Sequence, residues 1–394
     1  MQLTDYPNYF KIHHPDSRVL IISLRGIHNE AYRSPEYEFE DLICSFDRAD
    51  LITFDFQENF QNSITKKISN TIAQLLHRGS ILESGCSPLV IDKKYDLIFF
   101  ICQHYWDITC LNSIKKWRKH SHTAVAWIDE LWSKEIRQSK VKICLELLKQ
   151  FDYVFTTQSN SIKPIAEITK CRCFSLPYAV DAIDFCPYPN ELIRNIDIYS
   201  IGRRSPTVHK SLLKFSRKQN YLYLYDTLKG LEMSHYREHR RLYSNLIKRS
   251  RYFIANKAKF DAFHQTGGQE ELGSRFFEGA AGGAVMIGIP PTSESYKKYF
   301  DWEDAVIPIS YDADYVVDII AELDKQPYRL EKIRKDNIYN SLLRHDWVYR
   351  WSNILDIVGM ERTTQMLGRE SKLQQMAENV MVQSISGEVE SLSC

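Results

Sequence analysis

The chain has 394 residues, of which 44% are hydrophobic and 26% are charged. This composition excludes an intrinsically disordered protein, and the length predicts two domains rather than a single core. Positive and negative residues nearly balance, with 51 Lys and Arg against 50 Asp and Glu. The charge therefore gives no reason to expect a nucleic-acid partner.

The nine cysteines are scattered without a Cys-x-x-Cys pair, which predicts buried, reduced thiols and no metal site. The start of the chain lacks the apolar core of a secretory signal. No stretch approaches the roughly 20 apolar residues that a membrane-spanning helix needs. We therefore expect a cytoplasmic protein.

Short apolar runs alternate with longer amphipathic runs through the first half of the chain. This alternation is typical of an α/β domain with a parallel sheet, whose strands are rich in Val, Ile and Phe because both of their faces are buried. Helical patterns cover Asn62–His77 and Ser139–Gln150. The predicted strands are Val19–Ser23, Leu51–Phe54, Leu97–Cys102, Ala124–Ile128, Tyr153–Thr156 and Cys173–Leu176.

The composition changes around Phe185–Asn195, where Pro187 and Pro189 can continue neither a helix nor a central strand. We place a linker there and expect a second α/β series after it. Its predicted strands are Ile196–Ile201, Tyr221–Tyr225, Tyr252–Ala255, Ala284–Ile287 and Ala305–Ile309, and its predicted helices are Tyr243–Ser250, Arg275–Ala281 and Tyr315–Leu323.

The final part of the chain is predicted to be helical from about residue 332, and the last 20 or so residues are a polar tail that we expect to fray. The sequence thus predicts three parts. Residues 1–187 form a first α/β domain, residues 188–345 form a second α/β domain, and residues 346–394 form a C-terminal helical segment with the polar tail.

Two carboxylates, Glu270 and Glu278, bracket a turn at Gly273 and the start of a predicted helix. Free backbone N–H groups at such a start favour a phosphate, and carboxylates beside them can accept hydrogen bonds from sugar hydroxyls. The segment therefore indicates a site for a polyhydroxylated, phosphate-bearing ligand. The structural alternative is a helix start whose acidic residues stabilise the helix by up to about 1 kcal/mol.

A second candidate segment begins where a predicted strand ends at Gly202. Arg203 and Arg204 follow this glycine, and Lys210 lies at the start of the next helix. Glycine permits close backbone approach, and the cations could neutralise a diphosphate. A solvated turn is the alternative. Further upstream, Asp181 follows an apolar strand, where it would cap a short helix.

In this order, the three segments resemble the GT-B glycosyltransferases of the group 1 kind, which include a spore-coat-protein-like subfamily. The resemblance covers about residues 150–355 and is weaker before them. The matching residues are Val180, Asp181, Phe185 and Pro187 of the interdomain motif, Gly202 and Arg203 of the donor-phosphate turn, and Glu270, Gly273 and Glu278 of the paired-glutamate motif.

The resemblance implies two doubly wound Rossmann-like domains that face a cleft, with a C-terminal helix crossing back toward the first domain. It places the acceptor on the domain of residues 1–187 and the nucleotide-sugar donor on the domain of residues 188–345. It also implies transfer of a sugar from a nucleotide-sugar donor to a glycan, a lipid-linked acceptor or a small molecule, usually with retention of configuration. Polysaccharide biosynthesis is the expected process.

Residue roles follow from the same resemblance. Glu278 would bind the ribose of the nucleotide, and Glu270 would contact the donor sugar during catalysis. Cationic side chains and helix N-termini would stabilise the leaving group in place of a metal, so no cofactor is expected. The residues that would hold the donor are Gly202, Arg203, Lys210, Gly273, Ser274, Arg275 and Glu278.

The first domain offers fewer signals. Asp129 ends a predicted strand at the place where the family keeps a catalytic or acceptor-positioning residue, although a helix cap is the alternative. The loop after the first strand is reduced to Arg25–His28, which leaves acceptor binding open. The basic segment Lys115–His120 is either a solvated helix face or a peripheral contact with the inner face of a membrane.

One motif belongs to another class of enzyme. Asp312 and Asp314 form an Asp-x-Asp pair of the kind that metal-dependent glycosyltransferases of a different fold use. Here the pair precedes a predicted helix, and we interpret it as a cap.

Two functions other than glycosyl transfer remain compatible with the sequence. One is a catalytically inactive sugar-nucleotide-binding protein, and the other is a different enzyme on this architecture, such as a sugar-nucleotide epimerase. A phosphorylase would need a cofactor lysine or a phosphate pocket, which the sequence does not locate.

Overall fold

The computed structural model describes residues 10–55, 64–189, 192–227 and 232–391. It contains two sheets that follow one another along the chain, a seven-stranded sheet and then a five-stranded sheet. Helices cover these sheets, as expected for doubly wound domains. The predicted α/β architecture is therefore confirmed.

The first sheet has the order β1-β3-β2-β4-β5-β6-β7 and is parallel except for β1, which pairs antiparallel with β3 at the edge. β2 and β3 are fully buried, which explains their largely apolar sequences. The strands are β1 (Phe10–Ile12), β2 (Val19–Ser23), β3 (Ala49–Thr53), β4 (Tyr95–His104), β5 (Ser121–Glu130), β6 (Tyr153–Thr156) and β7 (Arg172–Ser175).

Two of these strands are longer than the sequence predicts. β4 and β5 each have ten residues, because their pairing continues beyond the apolar run to the register pair of His104 and Glu130. Polar side chains are thereby held on regular backbone at the carboxyl edge of the sheet. The edge strand β1 is not predicted, since three residues carry no clear periodicity.

The second sheet has the order β12-β11-β10-β8-β9 and is parallel throughout. The predicted boundary between residues 187 and 188 lies in the segment between the last strand of the first sheet and the first strand of the second. The strands are β8 (Ile196–Ser200), β9 (Tyr223–Tyr225), β10 (Ser250–Ile254), β11 (Val285–Gly288) and β12 (Ile307–Pro308).

Fifteen helices are described within these ranges. Those of the first domain are α1 (Ser34–Phe46), α2 (Ile64–Leu76), α3 (Ser133–Ile136), α4 (Ser139–Leu145) and α5 (Ile162–Thr169). Those that follow are α6 (Ala182–Phe185), α7 (Pro206–Gln219), α8 (Tyr236–Lys248), α9 (Phe263–Thr266), α10 (Ser274–Ala281), α11 (Glu294–Tyr299), α12 (Val316–Leu323), α13 (Pro327–Arg344), α14 (Trp347–Val358) and α15 (Thr364–Ser391).

The C-terminal helices return to the first domain, as predicted. Trp347 of α14 stacks on Phe39 of α1 with ring centroids 4.4 Å apart. The indole of Trp351 donates a 2.8 Å hydrogen bond to Asp47, which follows α1. Both tryptophans are fully buried. The C-terminal helical segment therefore supplies core to the first domain.

The described part of the predicted polar tail is helical, because α15 continues to Ser391. Its fully buried side chains recur at helical intervals, which a polar composition conceals. These side chains are Met366, Leu373, Ala377 and Val380.

Candidate active site

The carboxyl edge of the second sheet begins at the end of β8. Gly202 follows that strand with φ of +80°, a conformation that favours glycine. Arg203 is half exposed and pairs with Asp261 at 2.9 Å. Arg204 instead turns toward Asp226, at 2.6 Å. Of the two arginines, Arg203 therefore offers more of its charge to a ligand.

Helix α7 starts beside this turn and is capped by Ser205, whose hydroxyl accepts a hydrogen bond from the N–H of Val208. Lys210 lies on the exposed side of α7. His209 faces inward and lies 2.9 Å from the hydroxyl of Tyr223. The predicted contact of Lys210 with a diphosphate stays a prediction.

A narrow pocket of about 10 Å³ lies under the start of α7, where β8 and β10 end. Its position matches the rule that ligands of open α/β sheets bind beyond the carboxyl ends of the strands. The lining side chains include Ser200, Arg204, Ser205, His209, Tyr223 and Asn256.

Glu270 lies at the same edge and is held by two partners. Lys257, which follows β10, donates to one carboxylate oxygen, and Thr292 donates its N–H at 2.8 Å and its hydroxyl at 2.9 Å to the other. Burial alone would raise the pKa of Glu270, but these hydrogen bonds outweigh it and lower the pKa. Glu270 is thus a fixed, ionised carboxylate beside a lysine.

Helix α10 begins after Gly273, with Ser274 as its first residue. A Cβ atom at Gly273 would lie 3.4 Å from the carbonyl oxygen of Asn256, so the loop runs close to the segment after β10. The first N–H groups of α10 therefore face the strand ends, as a phosphate site would require.

Glu278 is one turn further into α10 and has no exposed surface. Its oxygens accept hydrogen bonds from Arg240 at 2.5 Å, Arg275 at 2.6 Å and Tyr243 at 3.0 Å. Burial would raise the pKa of Glu278, but the two arginines lower it to about 2. The structure thus places the two glutamates in different environments. The ribose contact of Glu278 stays a prediction, and Glu278 would have to exchange its arginine and tyrosine partners to make it.

Arg275 remains the more accessible member of this cluster, with a side chain that is 30% exposed. Its position on the first turn of α10 places a guanidinium next to the predicted donor segment. The carboxylate of Glu278 accepts a hydrogen bond from this guanidinium and holds it in position.

Asp129 ends β5 in the first domain and is only 2% exposed. Its carboxylate accepts from the hydroxyl of Thr157 at 3.0 Å and from the side chains of Gln103 and Tyr178. Burial and, next, the charge of Glu130 raise the pKa of Asp129 to about 7. The interpretation as a helix cap is wrong, because these side-chain donors occupy the carboxylate. A catalytic role stays a prediction.

The neighbouring residue, Glu130, points toward the second domain. It lies 3.1 Å from Lys259, which follows β10, and 3.7 Å from His104 at the end of β4. Burial lowers the pKa of His104. Sequence reasoning missed this group, although the alternation of side chains along β5 indicates that Glu130 and Asp129 cannot share a face.

Further contacts bring the donor segment against the first domain. Glu271 accepts from the N–H groups of Ser159 and Asn160, both at 3.2 Å. The side-chain oxygen of Gln269 accepts from the N–H of Ser133 at 3.1 Å. Residues on either side of Glu270 thus join the two domains, and Glu270 lies at the cleft between them.

The motif at Asp181 behaves as predicted. Its side chain caps α6 by accepting from the N–H of Asp184. It also pairs with Arg369 of α15 at 2.7 Å, and the N–H of Val180 donates to the carbonyl of His345 at 3.0 Å. This interdomain motif therefore ties the C-terminal helices to the end of the first domain.

The structure also bears on the Asp-x-Asp pair and on the basic segment. The predicted capping role of Asp312 and Asp314 is wrong, because α12 begins after Tyr315 and its start has no side-chain cap. Within the described ranges, no group of His, Cys, Asp and Glu residues could hold a metal ion. In the basic segment, Trp117 is buried and Arg118 pairs with Asp152.

None of the helices in the described residues combines the length and apolar character needed to cross a bilayer.

Comparison with known proteins adds a family match over part of the chain and a fold. Residues 225–356, which include Glu270 and Glu278, match the model of a family described as glycosyl transferase-like. No curated protein sequence matches the chain.

Several solved structures share the architecture. Anabaena Alr3699/HepE, solved with UDP and glucose, covers 87% of this chain and 99% of its own, with 10% identity and a TM-score of 0.53. Sucrose-phosphate synthase from Thermosynechococcus elongatus covers 87% and 98%, with 9% identity and a TM-score of 0.50. The UDP-forming α,α-trehalose-phosphate synthase from Burkholderia vietnamiensis covers 89% and 100%, with 9% identity and a TM-score of 0.51.

These similarities confirm the predicted two-domain fold. Together with the family match, they confirm the resemblance to the GT-B enzymes that the sequence motifs indicate.

Proposed function

We propose that this chain, a glycosyltransferase of the GT-B class by family match and fold, moves a sugar from a nucleotide-sugar donor held by its second domain to a hydroxylated acceptor held by its first. One observation carries the proposal. The ionised Glu270, beside Lys257, lies at the strand ends of the second domain, in a segment whose neighbours contact the first domain.

The leaving group of such a reaction is a nucleoside diphosphate, whose negative charge grows as the glycosidic bond breaks. Arg203, Lys257 and the start of α10 supply fixed positive charge and N–H donors at this edge. Groups that are already oriented toward a developing charge contribute most to catalysis. Positive charge from the chain itself is thus available where a metal would otherwise act.

The donor sugar would lie over Glu270, between the diphosphate site and the first domain. Across the cleft, Glu130 and His104 stand at the ends of β5 and β4. We assign Glu270 to the donor sugar, and we assign the first-domain pair to the approach of the acceptor hydroxyl. Retention of configuration is part of the proposal, as is a glycan or lipid-linked acceptor.

UDP-glucose is the first donor to test. One similar structure contains UDP and glucose, and another belongs to an enzyme named as UDP-forming. Their identities of 9–10% support the fold alone, so the choice of base and sugar is a starting hypothesis for the assay.

The experiment is an assay of nucleoside diphosphate release from a panel of UDP-, GDP-, ADP- and TDP-sugars, with and without candidate sugar acceptors. We expect diphosphate release from donors with one of these bases. Arg203→Gln should lower the affinity for that donor about tenfold, because one charged contact is lost. Lys218→Gln, an exposed change at the far end of α7, is the matched control and should have no effect.

Other outcomes identify the alternative functions. Tight binding of a nucleotide sugar without any release would indicate a catalytically inactive binding protein. Conversion to a different nucleotide sugar without diphosphate release would indicate an epimerase. Absence of binding to every donor would contradict the proposal.

A peripheral membrane contact belongs to the same proposal. Helix α2 exposes an apolar stripe at helical spacing, and such a stripe is typical of a helix that lies in a lipid interface. The stripe consists of Ile68, Ile72, Leu75 and Leu76, which are 53%, 40%, 75% and 56% exposed.

Positive charge accompanies the stripe. Arg78 follows α2, and the neighbouring helix α4 exposes Lys140 and Lys142. We therefore propose an anionic lipid surface as its partner. Co-sedimentation with phosphatidylserine vesicles should be lost in an Ile72→Asp, Leu75→Asp double variant and kept in Gln74→Glu. Equal sedimentation of both variants would contradict the contact.

A further inference from the structure

An arginine-rich pocket lies at the opposite edge of the second sheet. It has a volume of about 320 Å³ and is open to solvent. The donor edge follows the carboxyl ends of β8 and β10, whereas this pocket lies at their amino ends. Strands of five residues span about 16 Å, so the two sites are separate. The lining residues are Pro187, Tyr188, Leu192, Arg194, Arg251, Glu331, Arg334 and Ile338.

The three arginines of the pocket are not equally neutralised. Arg251 is paired with Asp197 at 2.9 Å and with Asp324 at 2.5 Å. The guanidinium of Arg194 donates to two backbone carbonyls, those of Ser250 at 2.8 Å and Gly282 at 3.0 Å. Backbone carbonyls satisfy its N–H groups but do not cancel its charge.

Arg334, on α13, is also incompletely matched. Its contact with Glu331 is 3.8 Å long, and Glu331 lies closer to Lys335, at 3.2 Å. The Nε atom of Arg334 is buried without a hydrogen-bond partner among the described residues. A buried donor left unsatisfied is costly.

The electrostatics agree with this geometry. Burial and, next, the charge of Arg334 lower the pKa of Arg194 to about 10. Burial also lowers the pKa of Arg334. In contrast, Arg240 keeps a raised pKa in spite of its burial, because Glu38 and Glu278 flank it. The pocket thus brings three arginines together, and among the described ion pairs none includes Arg194.

We propose that this pocket binds a phosphorylated small molecule, with the phosphate on Arg194 and Arg334. The planar fork of arginine matches phosphate oxygens. Tyr188, Leu192 and Ile338 provide a less polar wall on which an organic body could rest, and the volume lies in the range of small-molecule sites. This site is independent of the donor site proposed above.

The test is calorimetric titration of the full chain with inorganic phosphate and with glucose 6-phosphate, in chloride buffer of constant ionic strength. We expect binding to the unmodified chain and at least tenfold weaker binding to Arg334→Gln. Arg334→Lys, which keeps the charge but loses the fork, should be intermediate. Arg217→Gln, which removes an exposed arginine of α7, is the matched control and should bind normally.

A donor-site variant separates the two proposals. Arg203→Gln should bind phosphate at the pocket normally, even where it loses its nucleotide-sugar donor. Tighter binding of glucose 6-phosphate than of inorganic phosphate would show that the apolar wall contributes, and equal binding would identify free phosphate as sufficient. Absence of binding to the unmodified chain, unchanged binding to a folded Arg334→Gln, or loss of binding in Arg203→Gln would overturn the pocket assignment.

Discussion

The carboxylates at the two sheet edges that meet at the cleft have different surroundings and different pKa values. At the second-domain edge, Glu270 is 28% exposed and is held ionised by Lys257 and Thr292. At the first-domain edge, Asp129 is enclosed by neutral donors, and its pKa is raised to about 7. The second domain therefore presents fixed charges to a ligand, whereas the charge of the first-domain edge depends on pH.

The same contrast exists within the second domain. Glu270 and Glu278 belong to one sequence motif, but only Glu270 reaches the cleft. Glu278 lies under Arg240 and Arg275 and holds them in place. Paired residues in a motif can thus divide into one that faces the ligand and one that orients the residues around it.

The largest effect should come from Glu278→Ala. The change leaves the buried Arg240 with Glu38 alone and removes the ion-pair partner of Arg275, and breaking a buried ion pair in this way costs about 3–5 kcal/mol. The free energy of unfolding, measured in urea, should fall by that amount. Glu303→Ala, at an exposed ion pair with Lys332, is the control and should change it by less than about 1 kcal/mol.

Unchanged stability combined with a loss of donor affinity would reverse this conclusion. Glu278 would then bind the ribose, as the sequence resemblance implies, and the arginine contacts would be exchanged when the donor arrives.

Glu270→Gln should produce the next largest effect, on turnover. Glu270 is assigned to the reacting sugar, where an interaction that strengthens in the transition state raises kcat. Loss of one such electrostatic contact typically lowers kcat by about 10²–10³-fold. Donor Kd, measured by calorimetry, should change little, and Glu294→Gln, at an exposed pair on α11, should be neutral. If donor affinity collapses while saturated turnover is normal, Glu270 serves binding alone.

A smaller effect should appear in the pH dependence of stability. Because burial raises the folded-state pKa of Asp129 to about 7, well above the ordinary value of a free aspartate, the folded chain holds a proton there that the unfolded chain has released. This group therefore stabilises the fold below about pH 4, and that contribution is lost as the pH rises toward 7.

Asp129→Asn should remove this contribution, so the free energy of unfolding of the variant should fall less steeply between pH 4 and 7. One proton corresponds to a slope of at most about 1.4 kcal/mol per pH unit. Urea unfolding at several pH values gives the slope for both chains. Equal slopes of the free energy of unfolding against pH in the two chains would indicate that Asp129 stays ionised in the folded protein.

The smallest expected effect is that of metal removal. Arg203 and Lys257 already place positive charge at the donor edge, so turnover in EDTA should equal turnover in buffer. Activity that disappears in EDTA and returns with Mn²⁺ would contradict the assignment of the leaving-group charge to these side chains.

The predictability of the fold from sequence depended on local signals. β2 and β6 have the predicted bounds, Val19–Ser23 and Tyr153–Thr156, because each is a short apolar run between polar residues. The second half of α15 was not predicted as helix, since its apolar positions are far apart in a polar sequence and are buried only by tertiary packing. Local patterns do not report such long-range burial.

The same distinction between local and long-range signals applies to the candidate site. The motif spacing located the segment with Glu270 and Gly273, because a turn and a helix start are local features. The partners that distinguish the two glutamates are distant in sequence, as Arg240 is from Glu278 and as Lys259 is from Glu130. Only the three-dimensional arrangement reveals that the carboxylate of Glu278 is neutralised by arginines and that the carboxylate of Glu270 faces the cleft.

The return of α14 to the first domain has a consequence for how the protein is made. Trp347 and Trp351 fill the space against Phe39 and Phe99, although they follow the entire second sheet along the chain. Domains emerging from the ribosome usually fold in order, the N-terminal one first. Here the first domain stays unfinished until the second has been synthesised, so its exposed apolar face must be protected during translation by chaperones or by transient contacts.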